Sequence, residues 1–146
     1  MRRLSPVRRL RAGAPNLRFC AAAEQIPPLP GAYLLLIEIA SPLKITRPAQ
    51  ATLAAGHYLY AGSAYGPGGL RARISRHMRR TKRCRWHVDQ ITAVADVIGA
   101  WILLDGNECD LVARNSQLPA ALTGFGSSDC RRCRGHLLGP AASFAN

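Results

Sequence analysis

The sequence predicts an α+β domain, in which a small mixed or antiparallel sheet of three to five strands is flanked by helices. Three apolar stretches have the length of strands and end at glycine, proline or other turn residues, at about 32–39, 57–64 and 97–104. Two other stretches, at about 69–80 and 108–117, have the features of helices. Together these elements predict one sheet with helices packed against it.

The domain itself is expected at residues 29–139. The chain has 146 residues, which is enough for a single hydrophobic core. Residues 1–28 are rich in arginine and proline and contain one acidic residue, so we expect them to form a disordered basic tail. Residues 140–146 are expected to form a short C-terminal tail.

The first long strand runs from Ala32 to Ile39, after a proline-rich stretch, and is too short for a buried helix. Two short segments follow, at about 43–46 and 51–54, and predict a hairpin or an irregular insertion. The second long strand, HYLYAGSA, alternates aromatic and aliphatic residues. Its alternation puts Tyr58 and Tyr60 on the same face.

A glycine-rich turn, GPGG, separates this strand from the first helix. Leu70, Ile74 and Met78 recur every four residues and form a narrow apolar stripe, which is typical of a helix. Arg73 and His77 lie one turn apart on an adjacent stripe of the same helix.

The second half of the chain predicts fewer elements. WHVDQ indicates a short helix or turn around 87–91, and the strand at 97–104 follows it. Asn107 can cap the second helix by accepting a hydrogen bond from a free backbone amide. Glu108, in the first turn, suits the positive end of the helix dipole.

The charge balance favours a polyanionic partner. Lysine and arginine number 20 against 8 acidic residues, and 18 of the 20 are arginine, whose planar guanidinium matches phosphate geometry. Nucleic acid is the first candidate, and a basic surface that only maintains solubility is the alternative. Eight basic and no acidic residues lie between Arg71 and Arg85, and such a patch favours a binding site.

The cysteines and the apolar runs indicate the compartment. Five is an odd number of cysteines and there is no signal peptide, which argues against a disulfide framework. No apolar run is long enough to cross a membrane. We therefore expect a cytoplasmic protein, free or associated with the nucleoid.

Two tripeptides, GAY in the first long strand and YAG in the second, precede the basic helix. This order resembles the GIY-YIG nuclease family, whose two tripeptides lie on neighbouring strands before a helix with a catalytic arginine. HYLYAGSAYGPGGLRARISRHMRR, WHVDQ, NECDLVA and GFGSSDC are similar to a poorly characterised branch of stand-alone domains in that family, over about 30–138. The family's middle isoleucines are Ala32 and Ala61 here, and an insertion of hairpin size separates the two tripeptides.

The resemblance implies an endonuclease that hydrolyses phosphodiester bonds with one divalent metal ion, Mg²⁺ or Mn²⁺. DNA is favoured over RNA, and a structure-directed role in repair or recombination is implied. Tyr60 would activate the attacking water, and Tyr33 would support it from the adjacent strand. In the alternative, both tyrosines only pack the sheet.

Arg73 follows Leu70 in the family's leucine-x-x-arginine pattern and would stabilise the negative charge of the transition state. Arg71 is its rival, and the two side chains point about 200° apart on a helix, so only one can face the site. His77 would contact the scissile phosphate or protonate the leaving oxygen. The alternative for His77 is a surface histidine on a basic helix.

Glu108 is the candidate metal ligand, because hard divalent ions prefer oxygen, and Asp110 is the fallback. The alternative is that Glu108 only stabilises the first turn of its helix. Several other side chains are expected to contact the nucleic acid. These are Arg71, Arg76, Arg80, His87, Arg131 and Arg132.

Cys130, Cys133 and His136 have nearly the spacing of a zinc knuckle. A structural zinc takes four ligands, and the other three cysteines are distant in sequence. We therefore favour a tight glycine-started loop over a zinc site. Two rival functions stay open: a non-catalytic nucleic-acid-binding module of the same fold, and a zinc-stabilised interaction domain.

Overall fold

The computed structural model describes residues 17–126 and 133–141. Its centre is a five-stranded antiparallel sheet, beside which lie a two-stranded hairpin and three α-helices. The strands are β1 (Arg18–Cys20), β2 (Gly31–Ile39), β3 (Leu43–Ile45), β4 (Ala51–Leu53), β5 (Gly56–Ala64), β6 (Asp96–Leu104) and β7 (Leu137–Leu138). The helices are α1 (Gly69–Met78), α2 (Asp89–Thr92) and α3 (Glu108–Arg114). The large sheet has the order β1-β6-β2-β5-β7, and β3 pairs with β4, which confirms the predicted fold class and hairpin.

Both faces of the central strand β2 are covered. On one face, Tyr33 and Leu35 belong to the same buried cluster as Ile74 of α1. On the other face, Leu34 belongs to a second cluster with Leu111 of α3. Because helices cover both faces, β2 can be an almost unbroken apolar run rather than an alternating one.

The register of β2 and β5 brings the two tripeptides together. Tyr33 lies directly opposite Gly62, and Leu35 lies opposite Tyr60. Residues two apart on a strand share a face, so Tyr33, Tyr60 and Gly62 all lie on the face that α1 covers. A side chain on Gly62 would overlap the Tyr33 hydroxyl, because the tyrosine ring crosses the sheet at that point.

Glycines also set the start of α1. Gly68 and Gly69 have φ angles of 81° and 59°, in the left-handed region that glycine favours. A side chain on Gly69 would collide with the backbone of Leu29, so the glycine lets the helix start close to the segment that leads into β2. The helix ends at Met78, two residues earlier than predicted, where Lys82 Nζ donates to the carbonyls of Arg76 and His77 at 3.1 and 3.0 Å.

A buried carboxylate fastens α1 to α2. Asp89 is fully buried and accepts two hydrogen bonds from Arg76, at 2.8 and 2.9 Å, and two from the backbone amides of Arg85 and Trp86, at 2.7 and 2.9 Å. Burial by itself would raise the pKa of Asp89, but these hydrogen bonds outweigh it and lower the pKa to about 2. The basic segment after α1 is therefore held against the domain by an ionised side chain.

The predicted tail at 1–28 needs a correction. Arg18–Cys20 pairs with β6 as an edge strand, and Cys20 and Ile26 are buried. The domain thus begins no later than Arg18, and a three-residue strand is too short to leave a periodic pattern. At the other end, Ala141 still donates its amide to His57 at 2.8 Å, so the predicted boundary at residue 139 also comes too early.

Helix α3 is shorter than predicted. It ends at Arg114 rather than near residue 117, because the side chain of buried Asn115 donates to the carbonyl of Leu111 at 2.8 Å and takes the place of a further helical turn. In the part of the chain that the structure describes, no helix has the length and apolarity needed to cross a membrane.

We expect Arg76→Ala to lower the free energy of unfolding by about 3 to 5 kcal/mol, because it leaves the buried Asp89 carboxylate without its cation. Urea denaturation would measure the change. Arg80→Ala is the matched control, since Arg80 pairs with Asp96 on the surface, with about half or more of both side chains exposed, and should cost less than about 1 kcal/mol. Equal losses in the two variants would contradict the role of Asp89.

We expect Gly62→Ala to destabilise the fold by about 1 to 3 kcal/mol, because the added methyl group forces Tyr33 out of its position. Gly66→Ala is the control, since nothing lies within 4 Å of a side chain at that position. Thermal and chemical denaturation of both variants would measure the difference. A neutral Gly62→Ala would show that Tyr33 has another place to go.

Candidate active site at the end of strand β5

Tyr33, Tyr60 and His77 form the buried floor of the site. The Tyr33 hydroxyl lies 2.7 Å from His77 Nε2, and the Tyr60 ring meets the imidazole edge-on with ring centroids 6.0 Å apart. Burial, followed by the charge of Lys82, lowers the pKa of His77 to about 3, so the ring is neutral at neutral pH. Its Nδ1 atom has no hydrogen-bond partner among the described residues. His77 is therefore buried against Tyr33 and does not face solvent.

Both phenols are held in the protonated form. Burial raises the pKa of Tyr33, and the neighbouring Tyr60 adds to the effect. Burial also raises the pKa of Tyr60, and the negative charge of Glu108 raises it further. Arg73 acts in the opposite direction on both tyrosines. Additional positive charge next to Tyr60 would therefore lower its pKa toward neutral pH.

Arg73 faces the tyrosines, as predicted. Its Nη1 atom donates to the carbonyl of Ser63 at 3.1 Å, and its guanidinium lies over the Trp86 ring, 4.5 Å from the centroid. Arg71 is exposed and donates to the carbonyl of Ile26 at 2.6 Å, away from the site. The two side chains thus diverge, as helix geometry requires, and Arg73 is the one that lies beside the tyrosines.

Glu108 reaches the site from the opposite face of the sheet. It is the first residue of α3, whose N-cap Asn107 accepts a hydrogen bond from the amide of Cys109 at 2.7 Å. One carboxylate oxygen lies 3.4 Å from the Ser63 hydroxyl, and the other lies 3.3 Å from His136 Nδ1. About 30% of the side chain is exposed.

The fallback, Asp110, is exposed on the same helix. The charge of Glu108 acts on both Tyr33 and Tyr60, which favours Glu108 as the carboxylate of the site. A carboxylate beside a hydroxyl is an all-oxygen donor set, which fits a hard divalent cation such as Mg²⁺ or Mn²⁺.

Most of the described side chains that were predicted to contact nucleic acid instead bind other groups of the domain. Arg76 binds Asp89, and Arg80 pairs with Asp96 and donates to the carbonyl of Val94 at 2.8 Å. His87 Nδ1 accepts a hydrogen bond from the amide of Gly126 at 2.9 Å. Arg131 and Arg132 lie outside the described residues.

Other arginines of the same segment are better placed for phosphate. Arg79, Arg83 and Arg85 are exposed, and none forms an ion pair with an acidic side chain within the described ranges. They lie in the segment between α1 and α2, which Asp89 holds through the backbone amide of Arg85 at 2.7 Å. The sequence placed them in the basic patch, but it did not reveal which arginines the framework would use.

Trp86 and Gly126 belong to the site and were missed by sequence reasoning. The Trp86 ring lies 6.0 Å from the His77 ring and carries the guanidinium groups of Arg73 and Arg76 at 4.5 and 4.2 Å. A side chain on Gly126 would press against the Tyr60 ring. A tryptophan within a basic segment was the available signal for Trp86, and the GFG sequence was the signal for Gly126.

A second cluster lies beside Glu108. Cys109, Cys133 and His136 bring their candidate ligand atoms within 4.8 Å of one another. Cys109 is distant from the other two in sequence, but α3 brings it next to them. Cys130, the third residue of the predicted zinc spacing, lies outside the described residues.

The mouth of the site combines three kinds of group. Ser63, Arg73 and Glu108 are partly exposed, Tyr60 is 8% exposed, and Tyr33 and His77 are buried behind it. A cation from α1, a carboxylate from α3 and a phenol from β5 thus lie close enough for both charges to act on the phenol. Such a set can bind an anionic group, hold a cation and orient a proton donor.

A family model matches residues 32–144, and its family is described as a domain of unknown function, DUF123. No curated protein and no solved structure matches the chain significantly. The matched residues are most of the 146, so the chain belongs to the DUF123 family.

Proposed function

We propose that the protein is a divalent-metal-dependent endonuclease that hydrolyses phosphodiester bonds in DNA. The observation that carries the proposal is that Arg73 of α1 and Glu108 of α3 both contact Ser63, near the end of β5, and that both charges act on the phenol of Tyr60, three residues earlier on the strand. The resemblance of the two tripeptides and the basic helix to the GIY-YIG nucleases supports the same reaction.

Glu108 would hold the metal ion, with the Ser63 hydroxyl as its neighbour. When bound, Mg²⁺ or Mn²⁺ supplies positive charge that stabilises phosphoryl oxygens and acidifies water. Glu108 raises the pKa of Tyr60, so neutralising its charge removes one cause of that shift. Tyr60 would then hold the attacking water by a hydrogen bond and, in its ionised form, accept the proton that the water loses.

Arg73 would bind the scissile phosphate through its guanidinium fork. One nitrogen donates to the Ser63 carbonyl, and the Trp86 ring supports the group through a cation–π contact. A cation held in two places keeps its direction, which is what stabilisation of the extra transition-state charge requires. Tyr33 and His77 act through their hydrogen bond as positioning residues beneath Tyr60.

The substrate class follows from the surface around the site. Arg79, Arg83 and Arg85 offer contacts to backbone phosphates, which fix position without reading base identity. We therefore propose structure-directed cleavage, of the repair or recombination type, rather than cleavage at a defined sequence. The burial of Tyr60 favours one rival, a non-catalytic nucleic-acid-binding module of the same fold.

We expect nicking of labelled branched, flapped, nicked and duplex DNA to require Mg²⁺ or Mn²⁺ and to fall about 100-fold or more in Tyr60→Phe, Arg73→Ala and Glu108→Gln. Single-turnover assays with a gel readout would measure the rates, and an RNA substrate would test the preference for DNA. Binding by Tyr60→Phe should stay within a few-fold of the unmodified protein.

Two variants serve as matched controls for this experiment. Tyr58 lies on the same strand as Tyr60, and Tyr58→Phe removes a hydroxyl that donates to the carbonyl of Ala54 at 2.7 Å. Arg114→Ala removes an arginine from the far end of α3. Both should cleave at close to the original rate. Cleavage that persists equally in Tyr60→Phe and Arg73→Ala would sink the nuclease proposal, and binding without any cleavage would support the non-catalytic module.

We expect the affinity for DNA to fall steeply with salt, and Arg79→Ala or Arg83→Ala to reduce the slope of log K against log salt by about 1 each. Fluorescence anisotropy over a salt series would measure the slopes. Arg114→Ala should leave the slope unchanged. If all three slopes coincide with that of the unmodified protein, the segment after α1 does not contact the phosphates.

A further inference from the structure

We propose that Cys109, Cys133 and His136 form a zinc site that ties helix α3 to the strand after the GFG turn. The three side chains come from two separate parts of the chain, and their candidate ligand atoms lie within 4.8 Å of one another. Two thiolates and an imidazole suit Zn²⁺, whereas Mg²⁺ and Ca²⁺ prefer oxygen. The site therefore differs in chemistry from the oxygen ligands at Ser63 and Glu108.

The separation of the ligand atoms is close to what a zinc ion needs. With Zn–S bonds of about 2.3 Å in a tetrahedron, two sulfur atoms lie about 3.8 Å apart. Atoms within 4.8 Å need to approach by only about 1 Å, which side-chain rotation can supply. Both cysteines are partly exposed and line one pocket between α3 and the segment at 133–138, so an ion has a path to them.

The backbone around His136 is fixed. Its amide donates to the carbonyl of Phe125 at 2.8 Å, and its carbonyl accepts from the amide of Ala61 on β5 at 2.9 Å. Gly135 is buried and has no room for a side chain, because one would lie 2.7 Å from the carbonyl of Leu122. One ligand of the site is thus held in place by the sheet before any ion binds.

Glu108 completes the arrangement. One of its oxygens lies 3.3 Å from His136 Nδ1, which suits a carboxylate that orients an imidazole. With Nδ1 protonated toward Glu108, Nε2 is the nitrogen that can bind the metal. The described residues thus supply three of the four ligands that a tetrahedral zinc ion takes, and water would fill the fourth position. Glu108 is a positioning residue for this site and not one of its ligands.

The zinc ion would join helix α3 to the segment that leads into β7. Helix α3 has seven residues, which is too short to be stable by itself, and Cys109 is its second residue. A zinc ion shared with Cys133 and His136 would fix the first turn of the helix against β7, and with it the direction of Glu108. Zinc binding at this site does not depend on DNA cleavage, because it requires only these ligand atoms.

The full-length protein, expressed without an oligohistidine tag and purified in reductant, should contain about one zinc ion per chain by inductively coupled plasma mass spectrometry. Cys109→Ser and Cys133→Ser should each lose most of the zinc. Cys84→Ser, a change at an exposed cysteine outside the cluster, should keep it. Glu108→Gln should weaken zinc binding about 10- to 100-fold in competition with a chromophoric chelator, while the ligand variants lose more.

A second measurement avoids variants that fail to fold. In the unmodified protein, alkylation mapped by mass spectrometry should leave Cys109 and Cys133 protected until a chelator is added, and Zn²⁺ but not Mg²⁺ should restore the protection and the melting temperature. Tyr60→Phe should keep its zinc even if it loses cleavage, so the two proposals can fail separately. Metal-free protein that takes up no zinc, or a disulfide at Cys109 or Cys133 under reducing conditions, would overturn the site.

Discussion

The candidate site depends on the absence of a side chain at position 62. Tyr33 and Gly62 are cross-strand neighbours, and the tyrosine hydroxyl occupies the space that a β-carbon at Gly62 would need. Only because that space is free can Tyr33 cross β5 and meet His77 on α1 at 2.7 Å. The glycine of YAG and the tyrosine of GAY are therefore two halves of one contact, which gives the joint presence of the tripeptides a physical reason.

The same contact places Tyr60. It is two residues before Gly62 on the same face, so its ring packs beside Tyr33 and against His77, with Phe125 on a further side at 6.2 Å between centroids. Such packing fixes the phenol and also buries it, and burial raises its pKa. The packing that fixes Tyr60 thus also makes its hydroxyl less acidic than in water. Positive charge near Tyr60 is needed to lower its pKa again.

The basic residues of α1 have two roles: some hold the fold together, and others belong to the candidate site. Arg76 is committed to the buried Asp89, whose other hydrogen bonds fix the turn that carries Trp86. Trp86 in turn lies beneath the guanidinium of Arg73. The charge count alone could not separate these roles, because Arg73 and Arg76 are one turn apart on the same helix. Their partners are Trp86, in the loop after α1, and Asp89, the first residue of the four-residue helix α2, and neither segment has a periodic pattern.

Much of the architecture could be predicted from the sequence, and the remainder needed contacts between distant residues. The long strands and α1 left clear apolar patterns, and the divergence of Arg71 and Arg73 followed from helix geometry alone. Strand β1 left none, because its three residues contribute a single buried side chain.

Glu108 and Cys109 show the limit most clearly. They are adjacent in the first turn of α3, about 100° apart around its axis, so one helix end can serve two sites. Glu108 contacts Ser63 at the end of β5, while Cys109 lies with the segment that pairs with β5. Whatever holds that helix end in place therefore holds both sites, and the carboxylate and the thiol cannot move independently.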